Sequence, residues 1–379
     1  METPILFEEL AAEGGKKIGM ATLDRPRFLN GLTLQMCESL LGRLRQWEAD
    51  PAIAVIVLRG SGEKAFCAGG DLHSLMAALE TTPHGSIWNN TYVRRFFEVE
   101  YRLDYAIHRC AKPVLVWGMG IVMGGGVGLM MGGSHRVVGE TTRFAMPEVA
   151  IGIFPDVGGS WMLGRLPPGL GLFLGLTGAQ LGAGDCRYLG LADYVIDSSR
   201  WSDVRQCLLA TPWEAARNRN DAMLHRLLCA MEPGSGSPTG PVQTHADRIA
   251  DLCRGPDFEA ICQRLLACAR SGDGWLQHAA ARFAAGAPGA ARICYTLLER
   301  ARTLSLAEVF RLEYTVMLRC MAEPDFEEGV RALLVDKDNT PRWQPASWNE
   351  ADETWVERFF AQSWPLDWPH PLRDLGNQS

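Results

Sequence analysis

Apolar and polar positions change period several times along the chain, and each change predicts an element. Ile5–Leu10 and Ile18–Leu23 run apolar or alternate on either side of a Gly-Gly turn, the pattern of an opening hairpin that Asp24-Arg25-Pro26 closes. Leu34, Cys37, Leu40, Leu41, Leu44 and Trp47 recur at helical spacing and predict an amphipathic helix over Leu32–Glu48. Ile53–Leu58 and Val114–Trp117 are short runs rich in β-branched residues, which predict strands buried on both faces. Further helices are predicted over Leu72–Leu79, Tyr92–Arg109, Val127–Met131, Leu170–Leu176 and Gly184–Leu191, with a last short strand over Ala192–Ile196. Thr81–Asn90, with its Pro, Gly, Ser and Asn, reads as a mobile loop. Repeated strand, strand and helix separated by glycine turns indicate an α/β fold.

From Trp201 the pattern is helical only. Leu304–Met321 and Asp325–Val335 predict helices, and Met231–Pro241 reads as a flexible connection. The Trp- and Pro-rich tail from Asp336 suggests a strap over apolar surface. A core over residues 1–200 and a helical C-terminal region over 201–379 are therefore expected. Within Tyr92–Arg109 one residue breaks the pattern. Phe96, Leu103 and Ile107 form the apolar stripe, and Glu100 occupies that same stripe. An acid there either pairs with an arginine, reaches solvent, or points into a functional site.

Composition narrows the classes. The chain has 379 residues, 47% hydrophobic and 21% charged, enough for a full core. A net charge of −7 argues against a broad basic face for nucleic acid. Arg25 and Arg27 still form a local cluster able to meet a phosphorylated ligand. The 11 cysteines are scattered singly, without Cys-x-x-Cys or zinc-type spacing. They predict a reducing compartment and no metal site. The first residues lack signal- or transit-peptide character, Asn-Gln-Ser is not a peroxisomal address, and glycine interrupts every apolar run of spanning length. The expectation is a cytoplasmic protein without membrane or nucleic-acid partners.

The chemistry concentrates between Lys112 and Gly159. Two glycine turns, Gly69-Gly70 and Gly124–Gly126, fit an oxyanion hole built from one N–H of each, though tight turns alone would also account for them. Two isolated carboxylates sit in apolar, proline-marked turns: Glu148 in Ala-Met-Pro-Glu and Asp156 in Phe-Pro-Asp-Val-Gly-Gly. Taken singly, Glu148 also reads as a first-turn helix acid and Asp156 as an N-cap. Taken together with the glycine turns they point to acyl or proton transfer. Other chemistries fit less well. Gly118-Met-Gly120 follows an internal strand and its third glycine falls one place late for a dinucleotide fingerprint. Ser160 lacks the closing glycine of a nucleophile elbow. Cys67 has no histidine placed to activate it, and His73 and His135 read as structural or surface groups.

Lys64-Ala-Phe-Cys-Ala-Gly-Gly-Asp71, Met123-Gly-Gly-Gly-Val-Gly-Leu129 and Phe144-Ala-Met-Pro-Glu148 together resemble the enoyl-CoA hydratase/isomerase (crotonase) superfamily. Phe28-Leu-Asn, Gly152-Ile-Phe-Pro-Asp-Val-Gly158, Leu176-Thr-Gly178 and the run Asp325–Asp338 with Pro341-Arg-Trp343 resemble its 3-hydroxyisobutyryl-CoA hydrolase subgroup. The resemblance is dense over Ile18–Val195 and returns over Leu304–Pro345. It implies a crotonase spiral of strand-strand-helix turns with the helical region packed on it. It implies further that the N–H groups of Gly70 and Gly125 form the oxyanion hole, and that Glu148 and Asp156 are the acids of catalysis. Glu100 matches a substrate-contacting glutamate. The second glutamate of hydratases is Gly128 here, so simple hydration is disfavoured. The activity implied is hydrolysis of a short β-hydroxyacyl-CoA thioester, as in valine catabolism, with an enoyl-CoA isomerase or hydratase as the alternative and a non-catalytic acyl-CoA-binding protein as a further one. Glu148 would act as general base or as nucleophile, and Asp156 would recognise the 3-hydroxyl or manage its proton. Arg25, Arg27 or Lys337 would meet the CoA phosphates, with no cofactor beyond the CoA of the substrate. The superfamily's C-terminal region often builds oligomers, so a homo-oligomer is one expectation and a tail covering its own protomer is the other.

Overall fold

The computed structural model describes residues 4–81, 87–234, 238–271, 274–362, 364–365 and 367–377. The strands are β1 (Ile5–Ala11), β2 (Lys17–Leu23), β3 (Ile53–Gly60), β4 (Ala65–Cys67), β5 (Val114–Trp117), β6 (Ile121–Met123), β7 (His135–Val138), β8 (Arg143–Ala145) and β9 (Tyr194–Val195). Up to β9 the helices are α1 (Leu34–Ala49), α2 (Leu72–Glu80), α3 (Thr91–Arg109), α4 (Gly125–Met131), α5 (Gly159–Leu163), α6 (Leu170–Thr177) and α7 (Ala183–Tyr188). Then follow α8 (Trp201–Ala210), α9 (Arg217–Cys229), α10 (Pro241–Thr244), α11 (Ala246–Leu252), α12 (Phe258–Ser271) and α13 (Gly274–Ala285). The last are α14 (Pro288–Ala301), α15 (Leu306–Cys320), α16 (Asp325–Val330) and α17 (Glu353–Glu357). Among the described residues no strand follows β9, as the helical period from Trp201 predicts.

Packing divides the chain differently from the expected cut at residue 200. One compact unit gathers Met1–Gly70, Arg102–Phe144 and Leu181–Gln243, and the other gathers Asp71–Tyr101, Ala145–Gln180 and Thr244–Ser379. The secondary structure changes character at 201, but burial joins segments that are remote in sequence.

The first unit holds a six-stranded sheet in the order β1-β2-β3-β5-β7-β9. The β1–β2 hairpin is antiparallel, pairing Ile5 with Leu23 through Ala11 with Lys17, and the pairs from β2 to β9 are parallel. Parallel strands are buried on both faces, which is why β3 reads as an unbroken apolar run. One sheet face, with Val55, Val57, Leu115 and Val137, packs with Val204 and Leu208 of α8 and with Leu224 and Leu228 of α9. Thr33 caps α1 by accepting from Met36 N at 3.2 Å, and the predicted apolar positions Leu40, Leu41, Leu44 and Trp47 are all buried. A small second sheet, β4-β6-β8, carries the glycine turns.

In the second unit α15 starts with a capping box: Ser305 Oγ accepts from Glu308 N, and Glu308 Oε2 accepts from Ser305 N at 2.8 Å. The tail lies on this helix, as a strap would. Trp364 is buried, 5.8 Å from Trp88 and 5.9 Å from Tyr314 between ring centroids, and Arg311 Nη1 donates to the Leu375 carbonyl at 2.8 Å. The loop expected over 81–90 falls partly outside the described residues, as does the connection over 231–241.

Two predicted elements need correction. The stretch after Val114–Trp117 is not a simple turn into a helix at Val127, because β6 intervenes and α4 begins at Gly125. The helix expected over Asp325–Val335 ends as regular α-helix at Val330 and widens into a π turn over Arg331–Val335. Arg331 binds Glu328 at 2.8 Å and Asp338 at 2.7 Å, which draws the chain into a compact loop instead of another helical turn.

Candidate active site

The glycine turns lie side by side within the first unit. β4 pairs in parallel with β6, matching Ala65 to Ile121 and Cys67 to Val122. At Gly69 an added Cβ would lie 3.5 Å from Gly125 N, so the two turns are in van der Waals reach. At Gly126 it would lie 2.2 Å from the Cys67 carbonyl oxygen, and only glycine lets α4 approach β4 this closely. Gly125 opens α4, so its N–H has no carbonyl four residues back in the helix. Gly70 bridges Leu32 in parallel with Leu32 N bonded to the Gly69 carbonyl, so the N–H of Gly70 itself points away from that neighbour. Arg25 and Arg27 also belong to this unit. Arg25 is committed to its own turn, donating to the Gly31 carbonyl at 2.6 Å with its guanidinium 4.8 Å from the Phe28 ring centroid. Arg27 is exposed.

The acids gather in the second unit. Glu148 is the first residue of a 3-10 turn, Glu148–Ile151, and is buried. That turn ends at Gly152 with φ +80°, where a Cβ would lie 2.4 Å from the Asp325 carbonyl oxygen, so the turn is seated against α16. Glu148 Oε2 has no hydrogen-bond partner among the described residues. Burial, and then the charge of Asp156, raises the Glu148 pKa well above the usual carboxylate range. Asp156 does not cap α5, whose N-cap is Gly158. Its Oδ2 accepts a hydrogen bond from Tyr101 Oη at 2.7 Å. Burial pushes Asp156 up to about 6 while the Tyr101 bond opposes that rise.

Glu100 is buried on α3, one residue before Tyr101. Its pKa is raised well above normal by burial first and by Asp156 second. It is thus influenced by another acid, unlike the arginine-paired carboxylate that its sequence position also allowed. Lys337, offered for the CoA phosphates, is exposed at φ +57° in the loop that Arg331 organises.

Sequence reasoning missed two members of this group. Tyr101 gave no signal, since an aromatic residue in a buried helix is ordinary. Glu313 repeats the signal of Glu100, an acid between the apolar positions Phe310 and Met317. It is fully buried, accepts from Gly158 N at 2.8 Å and Ser160 N at 2.9 Å, and is raised to about 8 by burial and by Asp156. Burial, with the charge of Asp156 beside it, raises Glu100, Glu148 and Glu313 together, so their protonation states are linked through Asp156. Such a set holds a base and an acid ready near neutral pH.

Comparison with known proteins agrees with this picture. The enoyl-CoA hydratase/isomerase family profile matches residues 18–360. The chain is 36% identical to the 3-hydroxyisobutyryl-CoA hydrolase, mitochondrial, of Gallus gallus, over 93% of its own length and 88% of that protein's. Among solved structures, a carnitinyl-CoA dehydratase from Mycobacterium thermoresistibile matches with TM-score 0.83 and 33% identity, covering 97% of this chain and 98% of that one. An enoyl-CoA hydratase from Rhodobacter sphaeroides 2.4.1 matches with TM-score 0.80 and 32% identity, covering 95% and 98%. With a profile match over most of its length, and both its glycine turns and its buried acids in place, the chain belongs to the enoyl-CoA hydratase/isomerase family.

Proposed function

We propose that the protein hydrolyses a short β-hydroxyacyl-CoA thioester, 3-hydroxyisobutyryl-CoA in the first instance, to the free acid and CoA. The observation that carries this reading is the buried Glu148 carboxyl with its unpartnered Oε2. An ionisable oxygen held away from solvent and from internal donors is suited to water or to an acyl carbon. The N–H groups of Gly70 and Gly125 take the thioester oxygen as it becomes an anion. Glu148 removes a proton from water, the water oxygen bonds to the acyl carbon, the C–S bond breaks, and the proton passes to the leaving CoA sulfur. In the covalent variant the Glu148 carboxylate attacks the acyl carbon, the C–S bond breaks and CoA leaves as thiolate, and water then opens the mixed anhydride, one of its protons passing to the thiolate and the other to solvent. Asp156, held by Tyr101, meets the 3-hydroxyl or carries its proton, and Glu100 fixes the acyl end. Arg25, Arg27 or Lys337 meets the CoA phosphates. The chemistry calls on no cofactor beyond the substrate's own CoA.

The names of the two structural relatives favour a second reading, addition or removal of water at a double bond. That chemistry ordinarily uses a second glutamate where this chain has Gly128, which lies buried in α4. Valine catabolism is proposed from the resemblance to the 3-hydroxyisobutyryl-CoA hydrolase subgroup. A reducing, cytoplasmic setting is proposed from the 11 free cysteines, although the hydrolase relatives are named mitochondrial. Self-association into a homo-oligomer belongs to the same proposal. Among the described residues no helix is long and apolar enough to cross a membrane.

The test is thiol release from 3-hydroxyisobutyryl-CoA, with crotonyl-CoA alongside. The expected result is rapid release that Glu148→Gln lowers by about 10²–10⁴-fold, the range for loss of a general base. Absorbance change with crotonyl-CoA and no thiol would replace the hydrolase reading with the second one. A single turnover in ¹⁸O-water separates the two roles of Glu148, since only the covalent route labels its carboxyl.

A further inference from the structure

Glu313 caps a helix in an unusual way. α5 is five residues long, Gly159–Leu163, and its own N-cap residue, Gly158, has no side chain to offer. The cap comes instead from α15, more than 150 residues on: Glu313 Oε2 accepts from Gly158 N and Oε1 from Ser160 N. A local Ser or Asn would satisfy such donors without burying an acid beside another acid. Glu313 is fully buried all the same, and Asp156 is close enough to raise its pKa.

The segment it holds is strained. Val157, directly after Asp156, has φ +52°, a region that β-branched residues rarely enter. Gly158 follows at φ +81°, where an added Cβ would lie 3.3 Å from both Leu306 Cδ1 and Phe310 Cζ. Gly159 N closes the turn onto the Asp156 carbonyl at 2.6 Å. Leu306, Phe310 and Glu313 share one face of α15 at helical spacing. The Phe310 ring also packs 5.5 Å from Tyr101, which donates to Asp156. One helix face thus supports the backbone after Asp156 and the tyrosine that binds its carboxyl.

We infer that Glu313 is a positioning residue for Asp156: its two oxygens hold the Gly158 and Ser160 amides, and with them the left-handed turn that brings Asp156 to Tyr101. The inference rests on the reading of Asp156 as a group that acts on substrate. Glu313→Gln keeps the size, but its amide oxygen satisfies one N–H while its NH2 opposes the other. The expected result is kcat lower by roughly 10–100-fold with KM within about threefold of wild type, since orientation is lost rather than binding. In an Asp156→Asn background the same change should lower kcat by less than about twofold, because the group it positions is already gone. Multiplying losses in the double variant, or an unchanged kcat in the single one, would overturn the inference.

Should Glu313→Gln fail to fold, Val157→Gly is added to remove the left-handed strain, and the comparison is repeated in that background. The ¹³C shift of a label at Tyr101 Cζ reports the bond to Asp156 without substrate. It should move in Glu313→Gln, and an unmoved signal would count against positioning. A wild-type enzyme that releases no thiol, together with a label that moves in the variant, would sink the hydrolase reading and leave the positioning role standing.

Discussion

Gly70 and Gly125 present backbone N–H groups whose spacing follows from the pairing of β4 with β6, whereas Glu100, Glu148, Asp156 and Glu313 are side chains gathered from α3, a 3-10 turn, the loop before α5 and α15. The first region is specified by what cannot be added: a methyl group at Gly126 already meets a carbonyl at 2.2 Å. The second is specified by where protons reside, because burial and the charge of Asp156 raise the proton affinity of Glu100, Glu148 and Glu313. A backbone site fails by steric displacement and a carboxyl cluster fails by retitration. The two regions should therefore respond to substitution in different observables.

After Glu148→Gln, the largest effect is expected in the backbone region. Gly126→Ala forces α4 off β4 and should destabilise the fold by about 1–3 kcal/mol, as overpacking does. With Gly125 N displaced, kcat should fall about 100-fold, near the loss of one oxyanion donor. Urea denaturation and thiol release read the two numbers, and neither should depend much on pH. A variant of normal stability and rate would break the contrast.

Tyr101→Phe should act next, and through pH. Removing the donor to Asp156 takes away the bond that holds its pKa down to about 6, so Asp156 should keep its proton to higher pH among Glu100, Glu148 and Glu313. The acid limb of kcat/KM should move upward by about one pH unit, the scale of a hydrogen bond to a charged group. A limb that stays in place would detach Asp156 from the rate.

The smallest effect is on stability. The folded pKa of Glu100 lies above its unfolded value, so the stability associated with its protonated form is complete below about 4.5 and is lost as pH rises toward the folded pKa. Glu100→Gln should flatten that fall and leave the variant roughly 1 kcal/mol more stable than wild type at pH 8, although less active. Denaturation at pH 5 and pH 8 checks the sign. Greater loss at the higher pH would mean that Glu100 has an unrecognised cationic partner.

Legibility in the sequence follows the same contrast. The glycine turns are visible because a missing side chain is a local fact. Glu148 and Asp156 stand out as lone charges in proline-marked apolar turns, and Glu100 as an acid in an apolar stripe. Glu313 carried the same mark, but the broad apolar face of α15 absorbed it. Only the fold shows that Gly158 and Ser160 lack a local cap. Tyr101 needed its partner to have meaning. The α/β class and the long elements follow from period, while β4, β6, β7 and β8 have three or four residues each and are too short to establish one. β6 is further hidden between Gly120 and Gly124.

The interleaving of the two packing units bears on how the protein is made. The first unit has no complete sheet and helix set until Gln243 has left the ribosome, and the second lacks Glu313 for another 70 residues after that. Glu313 follows Ser160 by 153 residues, so at synthesis rates of about 5–20 residues per second the turn after Asp156 is without its clamp for roughly 8–30 s. A message broken between codons 161 and 312 therefore yields a polypeptide that contains Glu100, Glu148, Asp156 and Tyr101 but lacks the clamp on the turn after Asp156, and neither unit can be expressed as a continuous fragment.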